Sequence, residues 1–165
     1  MWRRLKKVAI AFVAVIAVAF AAAQLVRPER TNPATDSTRT IQAHASPALV
    51  AVLDRACGDC HSNGTVWTRY TQVAPLSWVI VRGVTEARKV LNFSEWGAYS
   101  PNDQRELLHA SCRDATDGSM PMRPYLALRP EARLSPQDVQ TICEASRQAD
   151  ANAAGDARPS SLSTR

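Results

Sequence analysis

An all-α fold is what this sequence predicts, and three observations carry the prediction. Serine-proline pairs able to cap and start a helix recur at Ser46-Pro47, Ser100-Pro101 and Ser135-Pro136. Apolar residues behind each pair follow the 3.6-residue period of a helix face. No stretch alternates apolar and polar residues as a half-buried strand would. The expectation is about four short helices with long loops, within a folded segment of about 104 residues, 46–149.

Each element has its own signal. The N-terminal "MWRRLKK" is a positive cluster, and Val8 to Val26 is a run of 19 residues whose single polar member is Gln24. A helix of that length covers roughly 28 Å, enough for a bilayer's hydrocarbon core. The four cations ahead of it hold the N-terminus in the cytoplasm. Residues 1–26 therefore read as a membrane anchor or as a signal peptide cleaved after Ala21-x-Ala23. In either case the rest of the chain folds outside the cytoplasm. Residues 27–45, with two prolines and many hydroxyl groups, read as an extended tether.

The first helix of the domain is capped by Ser46, with Leu49, Val52, Leu53 and Ala56 on one face. A second begins near Ser77 and Trp78 and carries Ile80, Val84, Ala87 and Leu91, with Gly83 weakening it by about 1 kcal/mol relative to Ala. The third starts on a capping-box pattern, Ser100 with Asp103, and carries Leu107, Leu108 and Cys112. The fourth repeats the device at Ser135 and Asp138 and carries Val139, Ile142 and Cys143. Residues 150–165 are small and polar and read as a disordered tail. Such a domain has a thin apolar core, and it gains from a large hydrophobic prosthetic group or a crosslink.

Charge excludes one class of function. The formal net charge is +5, but Arg3, Arg4, Lys6 and Lys7 supply 4 of the 20 basic residues against 15 acidic ones. The body is thus nearly neutral, and no basic stripe remains to neutralise a row of phosphates. Nucleic acid is not an expected partner.

The chemistry concentrates in "CGDCH", Cys57 to His61. Positions i, i+3 and i+4 share a helix face, so a run that closes the first helix points Cys57, Cys60 and His61 one way. Two thiols at this spacing can add to the two vinyl groups of one porphyrin, and the adjacent imidazole can reach its iron. Cys57 and Cys60 are thus the expected thioether residues of one covalent haem c, and His61 the proximal ligand. Rival readings exist. A redox dithiol wants its C-x-x-C beside a βαβ pattern, and no strands are evident. A structural zinc needs a fourth ligand, for which the separate Cys112 and Cys143 lack paired spacing.

With His61 on one side, the sixth position decides the function. Beyond Met1 the chain has only Met120 and Met122, both in "DGSMPMRPY" between the third and fourth helices. A core-filling Met usually sits on a helix face, whereas these lie in a loop about sixty residues after His61. Met120 is the better distal candidate, since Gly118 frees the approach and Pro121 fixes the exit. His109 and His44 are weaker candidates, on a helix and in the tether respectively. Trp67, Tyr70, Trp78, Trp96 and Tyr125 are candidate haem-packing groups, with indole or phenol protons for propionates. Pro75 is a candidate carbonyl acceptor for the free imidazole N–H of His61. Cys112 and Cys143, left over in an oxidising compartment, form either a disulfide or a pair of buried thiols.

The segments "CGDCHSNGTVWTRYTQVAPLSWVIVRGVTEARKVLNFSEW" and "GSMPMRPYLALRPEARLSPQDV" resemble the bacterial haem-binding domain family of small exported c-type cytochromes. The resemblance covers roughly Arg27 to Ser146, and its most specific pieces are "CHSN", "VAPLSW", "LNFSEW" and the "GSMP" loop. It implies a cytochrome c-like all-α fold around one haem, with Cys57, Cys60 and His61 in the roles above and Met120 as distal ligand. The chain reads "VWTRY" where the family usually has Trp-Pro-Trp-Tyr, and "MPM" where Met-Pro-Pro is common, which leaves Met122 as a competitor. The resulting expectation is a monohaem c-type cytochrome passing single electrons to a redox partner protein, with its domain on the periplasmic side of the inner membrane. The alternatives are a haem enzyme or sensor with a displaceable sixth ligand, and an accessory module of a larger oxidoreductase.

Overall fold

The computed structural model describes residues 1–156. Among these described residues seven α-helices run in the order α1 (Trp2–Ala23), α2 (Pro47–Ala56), α3 (Gly58–His61), α4 (Leu76–Val90), α5 (Pro101–Asp117), α6 (Arg123–Leu128) and α7 (Pro136–Asp156). Short 3₁₀ turns at Ile41–Ala43, Arg69–Gln72, Phe93–Ala98 and Pro130–Ala132 join them, and no strand occurs among the described residues. The fold is all-α and cytochrome-like, as expected from the sequence.

The helix starts follow the serine signals. Ser46 Oγ accepts from the Leu49 N–H at 3.3 Å. Ser100 and Asp103 form a reciprocal capping box, and Ser135 and Asp138 repeat it, each hydroxyl accepting from the aspartate's N–H at 3.2 Å. Helix α5 ends at Gly118, whose φ of 72° lies in the left-handed region that glycine adopts without strain. Helices α5 and α7 pack against each other, and a Cys112–Cys143 disulfide joins them. Their direction is antiparallel: His109 meets Ser146 and Asp150, while Cys112 meets Cys143.

The core gathers Leu49, Val52 and Leu53 from α2, Leu91, Phe93, Trp96 and Ile142 around a completely buried Ile41. Ile41 belongs to the segment read as a tether, and that reading is corrected. Residues 27–45 lie on the domain rather than free of it. Arg88 Nη1 donates to Thr31 O at 2.8 Å, Asn32 Nδ2 donates to Thr65 O at 2.9 Å, and Arg39 pairs with Glu95. Gly97 permits the closest approach: its N–H donates to Arg39 O at 2.7 Å, and a Cβ there would stand 3.2 Å from Arg39 Cα. A single apolar residue in a polar segment gives no periodic signal, yet here it fills the core.

Two other boundaries are corrected. The tail expected to be disordered from residue 150 continues α7 through Asp156. Asp150 is held there by His109 Nε2 at 2.9 Å, and the remainder of the expected tail, 157–165, lies outside the described residues. The C-x-x-C-H run also does not simply close the first helix. Helix α2 stops at Ala56, Cys57 adopts φ −123°, and Cys60 and His61 ride on the separate turn α3.

Candidate functional site

The break at Cys57 is closed by its own carbonyl, which accepts from the N–H groups of Cys60 and His61 at 3.1 and 2.9 Å. The i, i+3 and i+4 relation therefore survives the helix break. Cys57, Cys60 and His61 all line one cavity of about 380 Å³. Both thiols are free and half-buried. Burial pushes the Cys57 thiol up to about 12 and raises that of Cys60, so both stay protonated and neutral in an apolar wall.

His61 is oriented by the chain, not by another side chain. Its Nδ1 lies 3.1 Å from Leu91 O, and a carbonyl can only accept, so Nδ1 carries the proton. Burial lowers the imidazole pKa despite that bond, which keeps the ring neutral with its Nε2 lone pair unused. Pro75, the expected acceptor, is not the partner; its carbonyl accepts from Trp78 N–H at 3.1 Å. Leu91 caps the C-terminus of α4, where carbonyls lack helical partners, so one of these serves the imidazole.

A buried polar clamp holds Leu91 beside His61. Asn63 N–H donates to Ser94 Oγ at 2.9 Å, and Asn92 Nδ2 donates to Asn63 Oδ1 at 2.9 Å. Ser94 N–H returns to Asn92 Oδ1 at 3.0 Å. These three residues come from "CHSN" and "LNFSEW", so the two short motifs are the halves of one joint. Phe93 packs beside His61 with ring centroids 6.1 Å apart.

Across the sequence, Met120, Pro121, Met122 and Tyr125 line the same cavity. Met120 is 39% exposed and Met122 47%. Met120 N–H donates to Asp114 O at 3.1 Å, which fastens the loop to the end of α5. A second tie went unnoticed in the sequence. Tyr125 Oη donates to Asp59 Oδ2 at 2.9 Å, and Arg129 pairs with the same carboxylate at 2.9 Å. Burial and the neighbouring Asp59 charge raise the Tyr125 pKa. Asp59 lies between the two cysteines, so one carboxylate links the thiol turn to the methionine loop and α6. Its position inside C-x-x-C was the only available signal.

The other aromatic candidates are elsewhere. Trp67 Nε1 donates to Asn32 Oδ1 at 3.0 Å, and Trp78 Nε1 to Val26 O at 2.8 Å. Trp96 is in the core against Tyr99, with centroids 6.0 Å apart. Of the packing candidates Tyr125 lines the cavity, whereas Trp67, Tyr70, Trp78 and Trp96 do not, and neither does Pro75. Aromatic residues mark burial or an interface, and spacing does not say which. His109 is bonded to Asp150 and Ser146, and the exposed His44 to Thr38 O.

The residues present fit a haem. The donor set is two neutral thiols, an imidazole with Nε2 free and a thioether, in a mostly apolar wall. Gly83, also in that wall, would place a Cβ with no atom within 4 Å, so α4 leaves room for a bulky group. The zinc alternative loses its further ligands, because Cys112 and Cys143 are joined to each other. Among the described residues no cluster of three His, Cys, Asp or Glu is arranged to hold a metal ion.

A family model described as "Haem-binding domain" matches residues 18–148, well over half of the chain. No curated protein and no solved structure matches it.

Proposed function

The chain belongs to the haem-binding domain family, and from that premise we propose that it is a membrane-anchored monohaem c-type cytochrome passing single electrons on the periplasmic side. The observation that carries the reading is the single cavity shared by both C-x-x-C-H thiols, the adjacent imidazole and the Met120 thioether. When bound, haem supplies a one-electron iron couple. Cys57 and Cys60 would hold the group covalently, as thioethers made from their two thiols. His61 would offer its Nε2 lone pair to the iron while Leu91 O holds Nδ1–H. Met120 would offer its sulfur as the second protein ligand, a pairing that would favour ferrous iron more than two histidines do. Apolar walls from α2, α4 and α5 exclude water.

The second reading is an enzyme or gas sensor whose sixth ligand leaves, and it draws on the exposure of Met120 in a short loop. Spectra of the purified protein, oxidised and reduced, with acid-acetone extraction, test both. One covalent haem stays with the polypeptide on extraction, and the ferrous protein ignores carbon monoxide. Complete extraction of the haem overturns c-type attachment. Immediate carbon monoxide binding overturns the filled sixth site in favour of the second reading.

A further inference from the structure

We propose that Val73, Leu76, Trp78 and Val79 form a membrane-docking face that seats the domain on the bilayer leaflet from which α1 emerges. The inference rests on the anchor reading of α1 and goes beyond it, because an anchor alone would leave the domain free to swing.

Its foundation is the joint at the end of α1. That helix runs to Ala23, and the next side chain, Gln24, is paired in both directions with the domain. Gln24 Nε2 donates to Ala74 O at 3.2 Å, and Ala74 N–H donates to Gln24 Oε1 at 3.0 Å. Two residues later, Val26 O accepts from Trp78 Nε1 at 2.8 Å. No slack separates the span from the domain. Residues 74–78 therefore lie within one side chain's reach of the place where α1 leaves the hydrocarbon.

What surrounds that joint is apolar and uncovered. Val73 is 45% exposed, Leu76 39%, Trp78 38% and Val79 69%, beside Leu25 and Val26, which are also exposed. Isolated exposed apolar residues need no explanation, but a cluster contiguous with a lipid-spanning helix does. The Trp78 indole satisfies its N–H internally and leaves its ring at the surface, which suits the headgroup boundary. Within residues 24–30 and 69–82 the charged groups are Arg27, Arg30, Arg69 and Arg82 against a single acid, Glu29, so headgroup phosphates meet no net negative charge there. A soluble partner would have to compete with lipid already placed there by α1.

The consequence is orientation. Leu76 at the start of α4 belongs to the docking face, while Val90 at its end lines the cavity, about 21 Å further along the helix. Docking thus presents the haem cavity at a set distance from the joint instead of sampling a sphere around a tether.

The test uses the full-length protein reconstituted into phosphatidylcholine vesicles containing phosphatidylglycerol. A lipid-dissolved, photoactivated carbene precursor labels it, and tryptic peptides report the sites. Label is expected in residues 8–30 and in Tyr70–Arg82, severalfold above Val90–Arg105, whose Val90 is exposed but distant. Leu76→Glu with Val79→Glu should abolish label in 70–82 and leave both the 8–30 label and the haem spectrum intact. Label in 8–30 with 70–82 no higher than 90–105 overturns the docking face alone, which then meets water or protein. Absence of label from both segments overturns the anchor reading and the face with it.

Discussion

Met120 and Met122 flank Pro121, line one cavity and differ little in exposure, so the choice of ligand lies in single side chains. Met120→Ala is expected to abolish the sulfur-to-iron charge-transfer band of the ferric protein, lower the potential and open the iron to carbon monoxide. Met122→Ala should leave all three nearly unchanged; the reverse pattern would move the ligand to Met122. A second residue-scale expectation concerns Asp59. Its carboxylate takes both Tyr125 Oη and Arg129, so Asp59→Asn weakens a charge-assisted tie worth roughly 1.5–3 kcal/mol. The ferrous variant should then bind carbon monoxide at a measurable rate, where the parent does not, because the methionine loop is less firmly held. No binding by the variant would show that the Asp114 carbonyl alone fixes the loop. That the two thiols and the imidazole share one wall was legible in the sequence, because i, i+3 and i+4 spacing puts three side chains on one side of a turn. The Leu91 carbonyl was not, since every residue owns one and only the fold selects it. Pro75 failed as its substitute for the same reason.

At the scale of elements, helix starts were the most legible feature, because capping needs a particular side chain at a particular offset. Asp138 serves as an example. The Ser135 N–H and hydroxyl, with Arg55 at 2.8 Å, hold its carboxyl below the ordinary value of 3.8. A depressed carboxylate contributes stability that is present above the unfolded value and lost as pH falls through the folded one. Asp138→Asn should therefore cost about 1 kcal/mol near neutral pH, and the gap to the parent should narrow in acid. Urea titrations across that range check it; a gap independent of pH would mean that the carboxylate's charge contributes nothing. The bond between α5 and α7 is the other expectation. Cys112→Ser with Cys143→Ser reopens a separation of 31 residues and should cost about 3–4 kcal/mol. A loss below about 1 kcal/mol would mean that packing already holds the helix pair. Turns α3 and α6 escaped the sequence because four and six residues are too few for a periodic signal.

Across the whole molecule, the cavity wall draws on α2, α3, α4, α5, α6 and α7, so no element owns the site. Segment 27–45 then ties the domain's N-terminal side to α1, and its misreading as a free tether came from weighing composition without the one core residue, Ile41. This construction bears on the fate of α1. The helix has 22 residues, about 33 Å including its cationic start, and none of its side chains is buried. Its cations all precede the apolar run, as in a segment that keeps its N-terminus in the cytoplasm. Because Gln24 is bonded to Ala74, the site following Ala21-x-Ala23 abuts the folded domain, leaving little extended chain for a peptidase to grip. Retention is therefore the expected outcome. The natively expressed protein should stay in the membrane fraction after high-salt washing, require detergent, and show by intact mass an N-terminus upstream of Ala21. A mature chain beginning at Gln24 would instead mean that cleavage precedes folding and that the domain leaves the membrane as a soluble protein.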